Sequence, residues 1–172
     1  MLNLDVMIDE ETIQKRIGEL AEEIDKTYHG ESIIAICVLR GAIYFTVDLT
    51  KKMKTPIETD FIKISSYVGT ETTGNIIMGL DISENIQGRD VLIIEDIIDT
   101  GHTLKYLREY LLTKKPKSLR IAVLADKKER REVEVPVDFV GFEIPNKYIV
   151  GYGFDYNNCY RNLPYIGSML EV

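Results

Sequence analysis

The sequence predicts an α/β fold in which helices flank a central, mostly parallel sheet. Three observations carry that prediction. Short apolar runs, Ser32–Leu39 and Val91–Ile94, recur along the chain. Helical periodicities stand between them, and strand, helix, strand in repeated order implies parallel pairing through right-handed crossovers. Ligands in such sheets sit beyond the carboxyl ends of the strands. Arg40-Gly41 and Glu95–Thr103 both fall at such ends, which makes them joint candidates for one site.

Taken in order, residues 10–27 place Ile13, Ile17, Leu20 and Ile24 at spacings of three and four, an amphipathic helix. Ser32–Leu39 is a strand, closed by Arg40-Gly41; AIYFTVDLTKKM continues with helical character until Pro56. Glu58–Ser66 alternates as a strand does, the polar stretch VGTETTGN follows, and Met78–Ile82 reads as a further strand. Val91–Ile97 is a strand, and Thr103–Lys114 is a helix with Leu104, Leu107 and Leu111 turned inward. Leu119–Leu124 is again a strand, with Pro116 standing where the preceding helix has stopped. Phe154 reads as core packing, and His29, before Gly30, as an exposed turn residue.

At 172 residues the chain is expected to form one domain, spanning 1–172, with a sizeable core. No apolar run approaches the roughly 18–20 residues of a membrane helix, so no membrane partner is expected. The start, MLNLDVMIDEE, is acidic and lacks the basic and apolar regions of a secretory signal. Cys37 and Cys159 stand far apart and outside any Cys-x-x-Cys spacing, which argues against a disulfide framework or zinc site and for the cytoplasm. A net charge of −7 argues against nucleic acid as a partner, because affinity there comes largely from phosphate neutralisation. A small anionic substrate is compatible with it, since local groups can oppose the overall charge.

The stretch VLIIEDIIDTGHTL, residues 91–104, is the strongest chemical signal. Thr100-Gly101-His102-Thr103 lies between a strand and a helix, where backbone N–H groups and the positive end of the helix dipole favour an anion. It is neither a G-x-x-x-x-G-K-[ST] loop nor a G-x-G-x-x-G fingerprint, and both of those classes drop out. A helix cap would explain Asp99, but not Glu95 and Asp96 at the mouth of a buried strand, where unpaired charge is costly. Adjacent carboxylates beside an amide cradle suit a sugar phosphate, with the acids taking ring hydroxyls directly or through Mg²⁺.

That pattern of four apolar residues, two acids, two apolar residues and D-T-G-x-T resembles the phosphoribosyl-pyrophosphate (PRPP) motif of the type I phosphoribosyltransferases. With Asp99 it is similar to the 6-oxopurine members, and the likeness covers nearly the whole chain. The resemblance implies that family's fold, with a small hood formed by the N- and C-terminal segments. It also implies transfer of ribose 5-phosphate from PRPP to N9 of hypoxanthine or guanine, giving IMP or GMP in purine salvage. By the same resemblance Ile98, Asp99, Thr100, Gly101, His102 and Thr103 bind the phosphate, Glu95 and Asp96 orient the ribose, and Asp99 accepts a proton at purine N7. Leu39, Arg40 and Gly41 match the pyrophosphate loop, often built on a cis peptide, and Arg161 a basic pyrophosphate contact. Ser66 and Tyr67, leading into VGTETTGN, resemble the start of the loop that closes over the pyrophosphate. Lys127 matches the donor to the purine's 6-oxo group, Tyr148 the stacking ring, and Ile149 a backbone contact to the purine edge. Asp155 matches an acid at the purine end of the site that helps Glu95 and Asp96 hold Mg²⁺. Tyr148 stands where many relatives have Phe, and His102 where Lys is frequent. The family also implies a homodimer or homotetramer. A PRPP-sensing regulator, a metal-dependent phosphohydrolase and a xanthine-preferring transferase are the competing readings.

Overall fold

The structure, a computed structural model, describes residues 4–67 and 75–169. Two sheets organise it. The larger has six strands in the order β4-β3-β2-β5-β6-β7: β2 (Ile33–Leu39), β3 (Ile57–Tyr67), β4 (Asn75–Leu80), β5 (Asp90–Ile98), β6 (Ser118–Asp126) and β7 (Phe139–Glu143). All pair in parallel except β4, which runs antiparallel to β3. The smaller sheet joins the chain's two ends in the order β1-β9-β8, from β1 (Leu4–Ile8), β8 (Ile149–Val150) and β9 (Ile166–Met169). It is the expected hood.

The central strands are buried on both faces, which is why they read as continuous apolar runs. One face packs α1 (Glu10–Tyr28) and α2 (Ile43–Lys52); Ile13, Ile17, Leu20 and Ile24 of α1 meet Ala35, Leu92, Ile94 and Leu124 of the sheet. The other face packs α3 (His102–Thr113) through Leu104, Leu107 and Leu111 against Ile36, Val91, Ile93 and Val123. Each such fully buried aliphatic side chain contributes about 1.5–3 kcal/mol. Asp9 caps α1 by accepting from the Thr12 amide at 2.8 Å, and Glu10 and Glu11 complement the dipole in the first turn.

Two polar contacts hold the layers in register. Asp48 of α2 accepts from Gln14 of α1 at 2.7 Å and from the Tyr152 hydroxyl at 2.5 Å, tying the segment after β8 to the helical layer. Asp25 of α1 accepts from the amides of Lys54 and Thr55 and from the Thr55 hydroxyl, at 2.7–3.0 Å, and so fixes the chain entering β3.

The strand expected at Met78–Ile82 instead runs Asn75–Leu80. Pairing decides its extent: Tyr67 faces Asn75 and Lys63 faces Leu80, and the Asp81 carboxylate then turns to accept from the Ile82 amide at 2.8 Å. Ser66, expected at the strand's end and the loop's start, belongs by backbone to this hairpin, as do Tyr67 and Asn75, expected in the loop; residues 68–74 of the expected lid lie outside the described residues. Among the described residues no helix is long and apolar enough to cross a membrane. Cys37 is buried and Cys159 exposed, both as free thiols.

Burial works against the Asp25 carboxylate, but the hydrogen bonds from Thr55 and Lys54 outweigh it and hold its pKa below the ordinary value. A depressed folded-state pKa adds stability above the unfolded pKa and loses it as pH falls. Asp25→Ala is therefore expected to lower stability by about 1–2 kcal/mol near neutral pH. In denaturant unfolding the gap between variant and parent should narrow below about pH 4; a gap independent of pH would contradict the assignment.

Candidate active site

The register of the parallel strands brings three loops level. Cys37 of β2 lies beside Ile94 of β5, and Ile98 of β5 beside Asp126 of β6. The chain leaving β2 at Leu39-Arg40-Gly41, the chain leaving β5 at Glu95–Thr103, and Lys127 after β6 thus share one edge of the sheet.

The β5 loop lines a hollow of about 210 Å³ with Glu95–Gly101, Thr103 and Leu104. Gly101 precedes α3 with φ of 95°, a conformation few other residues tolerate, and no side chain caps the helix. The first-turn amides of α3 have no intrahelical partners and face this hollow's end of the helix, the arrangement that takes an anion. His102 is exposed, and its ring lies 2.8 Å from Glu132.

Glu95 and Asp96 are half-buried and adjacent, the Asp96 amide donating to Glu95 Oε1 at 2.9 Å. Burial raises the proton affinity of both, and for Glu95 the Asp96 charge raises it further. Asp96 lies directly over Gly41: a Cβ at Gly41 would stand 1.6 Å from Asp96 Oδ2 and 3.4 Å from Arg161 Nη1. The Leu39–Arg40 peptide is cis, and the Arg40 side chain is exposed.

Arg161 links this corner to the hood. Its Nη1 donates to the Gly153 carbonyl at 2.6 Å, and Nη2 lies 2.6 Å from Asp155 Oδ1. Gly153 is packed so closely on Gly41 that a Cβ would meet the Gly41 carbonyl oxygen at 2.1 Å. The Gly41–Gly153 contact was not read from the sequence, although the run Gly151-Tyr152-Gly153 carried its signal.

The expected metal set of Glu95, Asp96 and Asp155 is not assembled. Among the described residues no three His, Cys, Asp or Glu groups converge as ligands. Asp155 is held by Arg161 and by the Asn158 amide at 2.8 Å, and it reaches Asp96 only through its charge. The Glu95–Asp96 pair does suit a hard divalent cation: two adjacent carboxylates at the open end of a buried strand. Mg²⁺ is commonly held by one or two carboxylates with substrate oxygens completing the shell.

Asp99 and Lys127 come together. Lys127 is only 8% exposed, and its amide donates to the Ile98 carbonyl at 3.0 Å. Burial lowers its pKa while the nearby Asp99 charge opposes that shift. Asp99 Oδ1 accepts no aligned hydrogen bond, although Arg130 Nε stands 3.0 Å away as a second, unforeseen positive neighbour.

Tyr148 and Ile149 lie apart from the phosphate hollow. Tyr148, 58% exposed, meets Tyr156 edge-to-face at 5.9 Å and lines a separate groove of about 600 Å³ with Asn146 and Lys147. The side chain of Ile149 is buried in the core. Met169 N donates to Tyr148 O at 3.1 Å, so the alternation of an antiparallel ladder turns the N–H and C=O of Ile149 to the free edge of β8.

A family model described as a phosphoribosyl transferase domain matches residues 7–157. The chain belongs to the phosphoribosyltransferase family. It is 47% identical over 167 residues to a hypoxanthine-guanine-xanthine phosphoribosyltransferase of Tritrichomonas foetus, covering 96% of this chain and 91% of that one. A crystal structure of a hypoxanthine-guanine phosphoribosyltransferase from Bacillus anthracis, with HEPES in its active site, superposes with a TM-score of 0.94 at 44% identity, over 99% of this chain and all of that one. The hypoxanthine phosphoribosyltransferase of Trypanosoma cruzi in complex with its product IMP superposes at 0.91 with 38% identity, over 98% of this chain and 95% of that one.

The phosphoribosyltransferase site leaves no room for a side chain at Gly41. Gly41→Ala must displace the Asp96 carboxylate at a cost of about 1–3 kcal/mol. Calorimetric titration with IMP should show binding weakened at least about tenfold, whereas undiminished affinity would show that Asp96 need not lie over the loop.

Proposed function

We propose that this phosphoribosyltransferase transfers the 5-phosphoribosyl group of PRPP to N9 of hypoxanthine or guanine, releasing pyrophosphate and yielding IMP or GMP in cytoplasmic purine salvage. The observation that carries this reading is the juxtaposition of Asp99 and buried Lys127 beside the phosphate hollow. A carboxylate acceptor and an ammonium donor side by side suit N7 and O6 of a 6-oxopurine, and an adenine amino group would oppose the ammonium. The names of the relatives and the IMP complex of one of them support the same reading.

In this mechanism the α3 amides and the Thr100 and Thr103 hydroxyls hold the 5-phosphate. Glu95 and Asp96 take the ribose hydroxyls, and the Arg40-Gly41 loop with Arg161 takes the pyrophosphate. Tyr148 covers the purine ring, and the outward N–H and C=O of Ile149 meet its edge. The reaction passes through a ribosyl cation, so rate comes from alignment and placed charge. Asp99 takes the proton at N7 and Lys127 lowers its pKa by polarising O6, so that N9 attacks C1 of the ribose as the bond to pyrophosphate breaks. Glu95 and Asp96 would hold Mg²⁺ together with substrate oxygens, and the bound ion would offset charge on the leaving group. Asp155 contributes by setting Arg161, whose guanidinium it pairs with. A homodimer or homotetramer completes the proposal.

A relative that also uses xanthine makes that base a second candidate. PRPP-dependent nucleotide formation with hypoxanthine, guanine, xanthine and adenine, each with and without Mg²⁺, tests the reading. Turnover of hypoxanthine or guanine with Mg²⁺ is expected, and activity with adenine alone would overturn it. Asp99→Asn should lower kcat by about 10²-fold or more while IMP binding persists; an unchanged kcat would remove Asp99 from the chemistry. Lys127→Gln should lower kcat/KM for hypoxanthine and guanine roughly 10- to 100-fold, the worth of a hydrogen bond from a charged donor. An unchanged kcat/KM would reject its contact with O6.

A further inference from the structure

The segment leaving β6 wraps the outside of the phosphate loop and takes three of its carbonyls in succession. The Lys127 amide donates to Ile98 O at 3.0 Å; the Arg131 guanidinium, through Nε, donates to Asp99 O at 3.2 Å; and the amides of Glu132 and Val133 donate to Thr100 O at 2.9 and 3.2 Å. Two of these contacts are reached by backbone alone. Only Arg131 depends on a side chain, and that side chain is anchored: its Nη2 pairs with Asp126 Oδ1, their side chains being 15% and 5% exposed. Arg131 thus runs from the buried end of β6 to the loop, with its Cδ packed against Gly101, where a Cβ would stand 3.1 Å away.

In a trans peptide the carbonyl and the following N–H point in opposite directions. Holding Asp99 O on the outer side therefore turns the Thr100 N–H to the inner side, where the hollow lies. The same geometry, from Lys127 and from Glu132 and Val133, turns the Asp99 and Gly101 amides inward. We propose that Arg131 is a positioning residue: held by Asp126, it fixes the Asp99–Thr100 peptide so that the loop amides are aligned for a phosphate monoester before ligand arrives. This inference rests on the proposed phosphate site, and it assigns a task to two charged residues that touch neither substrate nor metal.

A buried ion pair that served only the fold would yield the same contacts, so the test separates affinity from stability. Arg131→Lys keeps a positive charge beside Asp126 but cannot reach Asp126 and Asp99 O together. The paired variant Asp126→Asn with Arg131→Gln removes both charges at similar volume, and guards against loss of fold by an unpaired Asp126. For each folded variant, binding of IMP, of ribose 5-phosphate and of hypoxanthine alone is measured by calorimetry, alongside KM for PRPP and for hypoxanthine. The proposal expects IMP and ribose 5-phosphate affinity to fall about tenfold in both variants, KM for PRPP to rise comparably, and the constants for hypoxanthine to move less than twofold. Unchanged phosphate-ester binding in a folded variant, or equal losses for ester and base, would overturn it. Parent protein that binds both esters yet shows no turnover with any base would overturn the transferase reading alone, and the binding arm would still judge Arg131. Parent protein that binds neither ester would overturn both.

Discussion

The level ends of β2, β5 and β6 are the constraint from which the rest of the site follows. Parallel register sets them: Ile94 lies beside Cys37 on one side, and Ile98 beside Asp126 on the other. Val91, Leu92, Ile93 and Ile94 are fully buried, each contributing about 1.5–3 kcal/mol, and a slip in register would draw the Glu95 carboxylate into the layer they fill. A desolvated carboxylate carries a penalty of several kcal/mol. The carboxylates of β5 therefore stand at its two ends, Asp90 paired with Lys117 and Ser118 at the start and Glu95 and Asp96 half-buried at the mouth. The apolar strand holds the site in place, and the acids occupy the first positions at which solvent or ligand can meet them.

Charge is distributed unevenly around that mouth, and the unevenness is informative. Glu95 and Asp96 raise their own proton affinity through burial, with the Asp96 charge adding to the effect on Glu95, and no ion pair is formed by either among the described residues. Asp99 has two cationic neighbours, Lys127 and Arg130, and Asp155 is joined to Arg161. One pair of acids is adjacent with only Arg161 acting on it from a distance, while the others have cations in contact or close by. A cation brought with a polyanionic substrate suits the first pair, and a neutral heterocycle suits the pocket beside Asp99 and Lys127. Close packing joins the two regions, since Gly153 of the hood rests on Gly41 and Arg161 bridges from there toward Asp96.

Much of this was legible in the sequence because its signals are local. The apolar runs of β2, β5 and β6, the inward leucines of α3 and the D-T-G-H-T turn each declare themselves within a dozen residues. The hood was legible only through family resemblance. β8 has two residues, and β1 finds its partner in β9 at the opposite end of the chain, so neither carries a periodicity of its own. β4 was misplaced because its length is set by pairing with β3 rather than by its own alternation. Beyond Lys127 the run DKKERRE carried no assignment in the sequence, yet it holds Arg130 against Asp99 and Arg131 against Asp126. An acid ending a strand as buried as β6 demands a counter-charge, and that was the available signal. Which of four nearby cations answers it depends on the turn at Lys128–Arg130, a matter of three-dimensional geometry.

The division of labour among the carboxylates is tested most directly by a crystal structure of this chain with IMP and Mg²⁺. The 5′-phosphate should lie on the amides of Thr100–Thr103, the ribose hydroxyls at Glu95 and Asp96, and the purine with N7 toward Asp99 and O6 toward Lys127. A phosphate bound elsewhere, or a purine turned with its 6-oxo group away from Lys127, would contradict it.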